Sequence, residues 1–208
     1  MENLFEGALK FRSEDFESHR SLFESLEKLQ KPHTLFIGCS DSRLVPNMIT
    51  KSQPGELFIV RNIANIVPMY RQSEEYLATT SAIEFAIQTL GIKNIVICGH
   101  SNCGGCAALY YPAEKLAKTP HTSKWLELAH PVKTEVLALM GDSHDESARE
   151  WMTEQLNIVL QLKHLMTYPF VESGVKSGEI TIHGWHYIIQ TGEVFNYNFD
   201  QKVFELID

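Results

Sequence analysis

Two short segments of this chain end apolar runs with side chains able to hold a metal ion: Cys39-Ser40-Asp41-Ser42-Arg43 and His100-Ser101-Asn102-Cys103. Each follows what reads as a buried strand, Thr34-Leu35-Phe36-Ile37-Gly38 and Asn94-Ile95-Val96-Ile97-Cys98-Gly99. If those strands are parallel neighbours, two thiolates, one imidazole and one carboxylate meet at one edge of a sheet. Zinc binds sulfur at about 2.3 Å and imidazole nitrogen at about 2.0 Å, and adjacent strands lie about 4.8 Å apart, so one ion can bridge two strand ends. Structural zinc sites are usually closed by cysteine and histidine, whereas catalytic ones keep an exchangeable position. Here Cys39, His100 and Cys103 leave that position to Asp41 or to water. Arg43, two residues beyond Asp41, suits a bidentate pair that holds the carboxylate off the metal.

Other readings compete with this one. A cysteine or histidine at a strand end is commonly an ordinary core residue, and either segment alone fits that reading. Cys103-Gly104-Gly105-Cys106 is also a C-x-x-C after a strand and at a helix start, the setting of a thiol–disulfide oxidoreductase. That alternative leaves His100, Cys39, Asp41 and Arg43 without a task. On the zinc reading Cys98 and Cys106 are inert core thiols.

The elements that must position these residues follow from periodicity and breakers. The pattern Phe16, Leu22, Phe23, Leu26, Leu29 predicts an amphipathic helix over residues 13–30, capped by Ser13 and stopped before Pro32. Strands are expected at 34–38, 56–60, 94–98 and 179–183. Segments 187–190 and 194–197 flank the turn Thr191-Gly192, and 203–206 reads as an edge strand. Helices are expected at 74–90, 106–110, 122–140 and 146–167. Strands alternating with helices give an α/β fold with a parallel sheet, whose sites lie beyond the carboxyl ends of the strands. One domain spans 1–208, with 1–32 as a helical arm and 33–208 as the α/β core. The arm suits packing on a partner subunit or on its own sheet.

Composition sets the outer bounds. With 18 basic and 26 acidic residues the chain carries a net charge of −8, which argues against a nucleic-acid partner. No apolar run approaches the roughly 20 residues of a membrane span, and the start Met1-Glu2-Asn3-Leu4-Phe5-Glu6 has no signal-peptide pattern. A cytoplasmic location is expected, where the four cysteines stay reduced. His121, His130, His144 and His164 read as solvated surface residues, and none stands out as a proton shuttle.

At these motifs the sequence resembles the β-class carbonic anhydrases. The matching stretches are Cys39–Arg43, Pro54–Phe58 with Arg61–Asn65, Ser81–Phe85, Gly99–Gly105, and Ile182–Trp185 with Tyr187. The resemblance implies a four-stranded parallel core sheet of order 2-1-3-4, with an added C-terminal edge strand or hairpin. It implies one Zn2+ per chain on Cys39, His100 and Cys103, and reversible hydration of carbon dioxide to bicarbonate by zinc-bound hydroxide. Asp41 and Arg43 would be the catalytic dyad, with Asp41 as a fourth ligand in a closed, inactive state. Gln30, Phe58 and Phe85 would bind substrate, and the assembly would be a homodimer or tetramer with crossing N-terminal helices. Members regulated by bicarbonate use a Trp, an Arg and a Tyr. Arg61 and Tyr187 match the last two, but Phe36 stands at the Trp position and has no N–H to donate. An ion pair for Arg61 and strand packing for Tyr187 are the preferred readings. Hydrolysis of carbonyl sulfide or carbon disulfide on the same scaffold is the alternative activity.

Overall fold

The computed structural model describes residues 2–72, 75 and 77–208. Among the described residues six strands form one sheet: β1 (Thr34–Cys39), β2 (Leu57–Asn62), β3 (Asn94–His100), β4 (Thr181–Tyr187), β5 (Val194–Asn198) and β6 (Val203–Leu206), in the order β2-β1-β3-β4-β5-β6. The first four are parallel, and β5 and β6 add antiparallel to the β4 edge. The expected order 2-1-3-4 with a C-terminal hairpin is therefore present. β1 and β3 are buried on both faces, which is why they read as unbroken apolar runs. Leu35, Ile37, Ile95 and Ile97 pack on one side with Ile158, Leu162 and Leu165 of the long helix Glu146–Leu165. Phe36, Val96 and Cys98 face the other side with Leu44.

That long helix does more than cover the sheet. Its buried face carries Glu154, Asn157, Gln161 and His164, spaced three and four residues apart on one stripe. Asn157 Nδ2 donates to the Ala64 carbonyl (2.9 Å), Gln161 Oε1 accepts from Val67 N–H (2.9 Å), and His164 Nδ1 lies 2.8 Å from the Val67 carbonyl. Backbone groups of the irregular segment after β2 are thus satisfied by side chains rather than by water. Close approach of this helix requires Gly99 and Gly184: a Cβ on Gly99 would lie 2.8 Å from Ile158, and one on Gly184 would lie 2.8 Å from Leu162. His164, expected at the surface, is buried instead, and burial lowers its pKa.

Several expected boundaries shift. The N-terminal helix already runs from Glu2, well before Ser13, and ends at Leu26 rather than residue 30. Ser13 is no cap; it sits in a π-helical turn, Phe11–Asp15, and its hydroxyl donates back to the Leu9 carbonyl at 3.0 Å. Leu4, Phe5 and Leu9 extend the apolar stripe into the first residues, so helix continues where a cap was expected. The expected 74–90 helix begins within a stretch partly outside the described residues; its described part runs Ala78–Glu84 and then through a π segment, Phe85–Thr89. The 122–140 segment divides into Pro120–Leu126 and His130–Met140 around a 3-10 turn, with Pro131 opening the second piece. Three short helices, Pro46–Thr50, Ala113–Leu116 and Pro169–Ser177, have no counterpart in the sequence reading.

Candidate metal centre

Pairing β1 with β3 in parallel, Gly38 opposite Cys98, brings the two motif segments to the same carboxyl edge. Cys39 is the last residue of β1 and His100 the last of β3. The chain then turns through Asn102 in the left-handed region (φ 55°) to present Cys103 at the start of the helix Gly104–Ala108. Backbone bonds fix this turn: Ser101 N–H donates to the Tyr187 carbonyl (2.9 Å), and Ile189 N–H to the Ser101 hydroxyl (3.0 Å).

The donor atoms of Cys39, His100 and Cys103 all lie within 4.8 Å of one another, and all three residues are buried. The two sulfurs are 3.9 Å apart, against about 3.8 Å for two thiolates around tetrahedral zinc with 2.3 Å bonds. His100 Nδ1 lies 3.0 Å from the Ser101 carbonyl, so its proton belongs there and the lone pair is on Nε2. Nε2 is buried and has no hydrogen-bond partner among the described residues. An orphaned imidazole nitrogen aimed among two sulfurs fits zinc, and three donors leave one tetrahedral position for an exchangeable ligand.

Electrostatics supports a dication. A hydrogen bond with Cys103, reinforced by burial, pushes the Cys39 thiol up to about 12. A hydrogen bond with Cys106, together with burial, holds Cys103 well above the ordinary thiol range. For His100, burial opposes protonation, but the neighbouring Cys39 sulfur and the Ser101 carbonyl outweigh it and the pKa is raised. Two anionic sulfurs this close need a counter-charge, and metal binding must expel their protons. Zinc titrated into the apo protein near pH 7.5 is expected to release about two protons per ion, read by calorimetry in buffers of different ionisation enthalpy. Release of a single proton would exclude a two-thiolate site.

Asp41 and Arg43 meet as a fork. Arg43 Nε donates to Asp41 Oδ1 (2.9 Å), Nη2 to Oδ2 (2.7 Å) and the Arg43 N–H to Oδ1 (3.0 Å). Nη2 also reaches the Asn102 carbonyl at 3.0 Å, tying the two motif segments together. These bonds hold the Asp41 carboxyl well below the usual carboxylate range. Its Oδ2 stands 3.8 Å from His100 Nε2.

The other expected residues are more spread out. Phe58 on β2 and Phe85 on the π segment stack tilted, ring centroids 6.0 Å apart, and Phe85 remains 43% exposed. Gln30 follows the arm and is exposed. Among the described residues Arg61 pairs with no carboxylate: its Nε donates to the Cys39 carbonyl (3.0 Å) and its Nη2 to the Asp41 carbonyl (2.6 Å), bracing the Cys39–Asp41 loop. Phe36 is fully buried, edge-on to Trp185 at 6.3 Å, and Tyr187 packs on the same cluster. Cys106 and Cys98 are buried and free. A disulfide exchanger needs an accessible thiol of depressed pKa, and Cys103 is 3% exposed with its pKa raised. Sequence reasoning missed Glu154, whose Oε1 accepts the Cys103 N–H at 3.0 Å.

The carbonic anhydrase family profile matches residues 34–194, a span that contains the whole donor set. The chain belongs to the β-class carbonic anhydrases. A carbonic anhydrase of Helicobacter pylori strain J99 is 44% identical over 206 residues, covering 98% of this chain and 93% of its own length. One from Synechocystis is 42% identical over 201 residues, covering 95% of this chain and 71% of that protein. The solved structure of the β-carbonic anhydrase CcaA superposes with a TM-score of 0.93 at 39% identity, covering 100% of this chain and 99% of that one. As a carbonic anhydrase, the protein uses zinc to interconvert carbon dioxide and bicarbonate. Among the described residues, no helix is long and apolar enough to cross a membrane.

Proposed function

We propose that Cys39, His100 and Cys103 hold the catalytic zinc, that Asp41 and Arg43 direct the attacking water, and that Phe58 and Phe85 receive carbon dioxide. The convergence of three buried donor atoms within 4.8 Å carries this reading. When bound, zinc supplies a water acidified from pKa 15.7 to about 7, a nucleophile available at neutral pH. The chain's own residues do the rest. Asp41 stays a carboxylate because Arg43 donates to both its oxygens, so it acts as an acceptor throughout the working pH range. An acceptor fixed beside the donor set accepts a hydrogen bond from the attacking oxygen and so turns a lone pair towards the substrate. Carbon dioxide has no charge or dipole, and the paired rings of Phe58 and Phe85 offer an apolar wall. Arg61 keeps the Cys39–Asp41 loop in place by donating from Nε and Nη2 to its carbonyls, and Phe36, buried against Trp185, offers a regulatory bicarbonate no N–H.

The same proposal includes a dimer built by the N-terminal helices, with Gln30 entering the neighbour's site. None of the residues in the helices over 2–26 is buried, and Leu4, Phe5 and Leu9 are 74%, 65% and 67% exposed. An apolar stripe of that kind suits a second copy of the chain. Two β-carbonic anhydrases from Sordaria macrospora are tetrameric; one matches this chain at 31% identity with a TM-score of 0.77. Four unbridged cysteines suit the reducing cytoplasm. The decisive experiment pairs elemental analysis with stopped-flow carbon dioxide hydration between about pH 6.5 and 9. One zinc per chain with turnover that rises with pH is expected, and metal-loaded protein without hydration activity would reject the assignment. Parallel assays with carbonyl sulfide and carbon disulfide separate the sulfur-substrate alternative.

A further inference from the structure

Behind the ligand turn lies a buried polar pair that the hydration chemistry does not use. Glu154, only 4% exposed in its side chain, projects from the helix Glu146–Leu165. Its Oε1 accepts the Cys103 N–H at 3.0 Å, and its Oε2 lies 3.2 Å from His186 Nε2. His186 is fully buried on β4, opposite Gly99 and one residue before the partner of His100 in the sheet register. Trp151, one turn before Glu154 on the same helix, packs edge-on against the His186 ring at 4.8 Å. The imidazole is thus clamped between a ring and a carboxylate supplied by one helix face. Its other nitrogen, Nδ1, has no hydrogen-bond partner among the described residues.

A carboxylate is rarely buried unless its oxygens are partnered, and here the two partners are a metal ligand's amide and this histidine. Packing alone does not hold Cys103. A cavity of about 440 Å³ opens beside it, lined by Asn102, Cys103, Cys106, Tyr110, Arg149 and Glu154 among others. Cys103 also starts its helix without a side-chain cap. The Glu154 bond therefore closes the side of the turn that packing leaves loose. Arg61 plays the matching part for the other sulfur, through the Cys39 carbonyl.

We infer that Glu154 is a positioning residue for the metal centre, fixing the Cys103 thiolate through its backbone amide, and that His186 is the group that fixes Glu154. This rests on Cys103 being a zinc ligand. Loss of an outer partner that orients a ligand typically weakens metal affinity by about 10–100-fold. Glu154→Ala should show a loss of that size in competition with a chromophoric chelator, and the cobalt-substituted protein should show altered sulfur-to-metal and d–d absorption bands. Glu154→Gln keeps an acceptor for the Cys103 N–H and, with the His186 proton moved from Nε2 to Nδ1, donates to Nε2, so it should restore the wild-type spectrum and most of the affinity. His186→Phe should weaken binding in the same direction. The double variant Glu154→Ala/His186→Phe should be no worse than Glu154→Ala alone, because the two act in series.

Unchanged affinity and cobalt bands in folded Glu154→Ala would overturn the inference, as would additive losses in the double variant. If Glu154→Ala does not fold, Glu154→Asp, one methylene too short to span both partners, replaces it with the same expected losses. Wild-type protein that retains no stoichiometric metal would instead defeat the zinc assignment itself.

Discussion

Cys103→Ser is expected to abolish carbon dioxide hydration, with a loss on the order of 10³-fold or more, and to lose stoichiometric zinc on dialysis. Serine matches cysteine in shape, but its hydroxyl is far harder to deprotonate and offers a hard oxygen where zinc takes sulfur. The remaining donors, Cys39 and His100, cannot hold the ion in a defined geometry, and the acidified water is lost with it. The measurement is zinc per chain alongside stopped-flow hydration. Cys106→Ser is the internal control. Cys106 is also buried, three residues further along, but it belongs to the packed cluster and not to the donor set. It should keep zinc and most activity. The opposite ranking would restore the disulfide-exchange chemistry that the C-x-x-C spacing suggests.

Much of this site was legible because the strands that deliver it are extreme cases. β1 and β3 are buried on both faces, so they read as continuous apolar runs, with Cys39 and His100 at their ends and Cys103 one turn beyond. The register that makes them neighbours is a tertiary fact; spacing required it, and the family resemblance provided it. The misread elements have local reasons. Ser13 carries a cap's chemistry, yet Leu4, Phe5 and Leu9 continue the helical stripe upstream, and the serine hydroxyl turns back to Leu9 instead. Pro169–Ser177 did carry signals, a proline at its first turn and Gly178 in the left-handed region after its end. Glu154, Asn157 and Gln161 were illegible for a different reason. Polar residues on a helix imply solvent, whereas here they serve backbone groups of loops up to 94 residues away. Arg61 shows the same effect, since two backbone carbonyls, invisible in sequence, take the place of the expected carboxylate.

Arg43→Ala is expected to lower activity by roughly tenfold near neutral pH, with the deficit shrinking as pH rises. The fork between Arg43 and Asp41 uses hydrogen bonds between charged groups, worth about 1.5–3 kcal/mol each when shielded. Arg43 is 47% exposed, so solvent screening reduces the net value towards about 1.5 kcal/mol, close to one factor of ten. Released from the fork, the Asp41 carboxylate, already 3.8 Å from His100 Nε2, is free to approach the open metal position as a ligand. There it competes with hydroxide, whose concentration rises with pH, so the deficit is largest on the acid side. Unfolding does not imitate this profile. A carboxyl held below its ordinary range stabilises the fold above its unfolded pKa near 4, and that contribution is lost only as pH falls through that region and below. Between about pH 6 and 9 the contribution is constant, so it cannot shape the profile there. The test is the pH–rate profile of the variant beside its urea midpoint: a pH-dependent deficit at nearly unchanged stability assigns Arg43 to holding Asp41 off the metal. A deficit of the same size at every pH would make Arg43 a brace for the Asn102 turn, which its Nη2 also contacts.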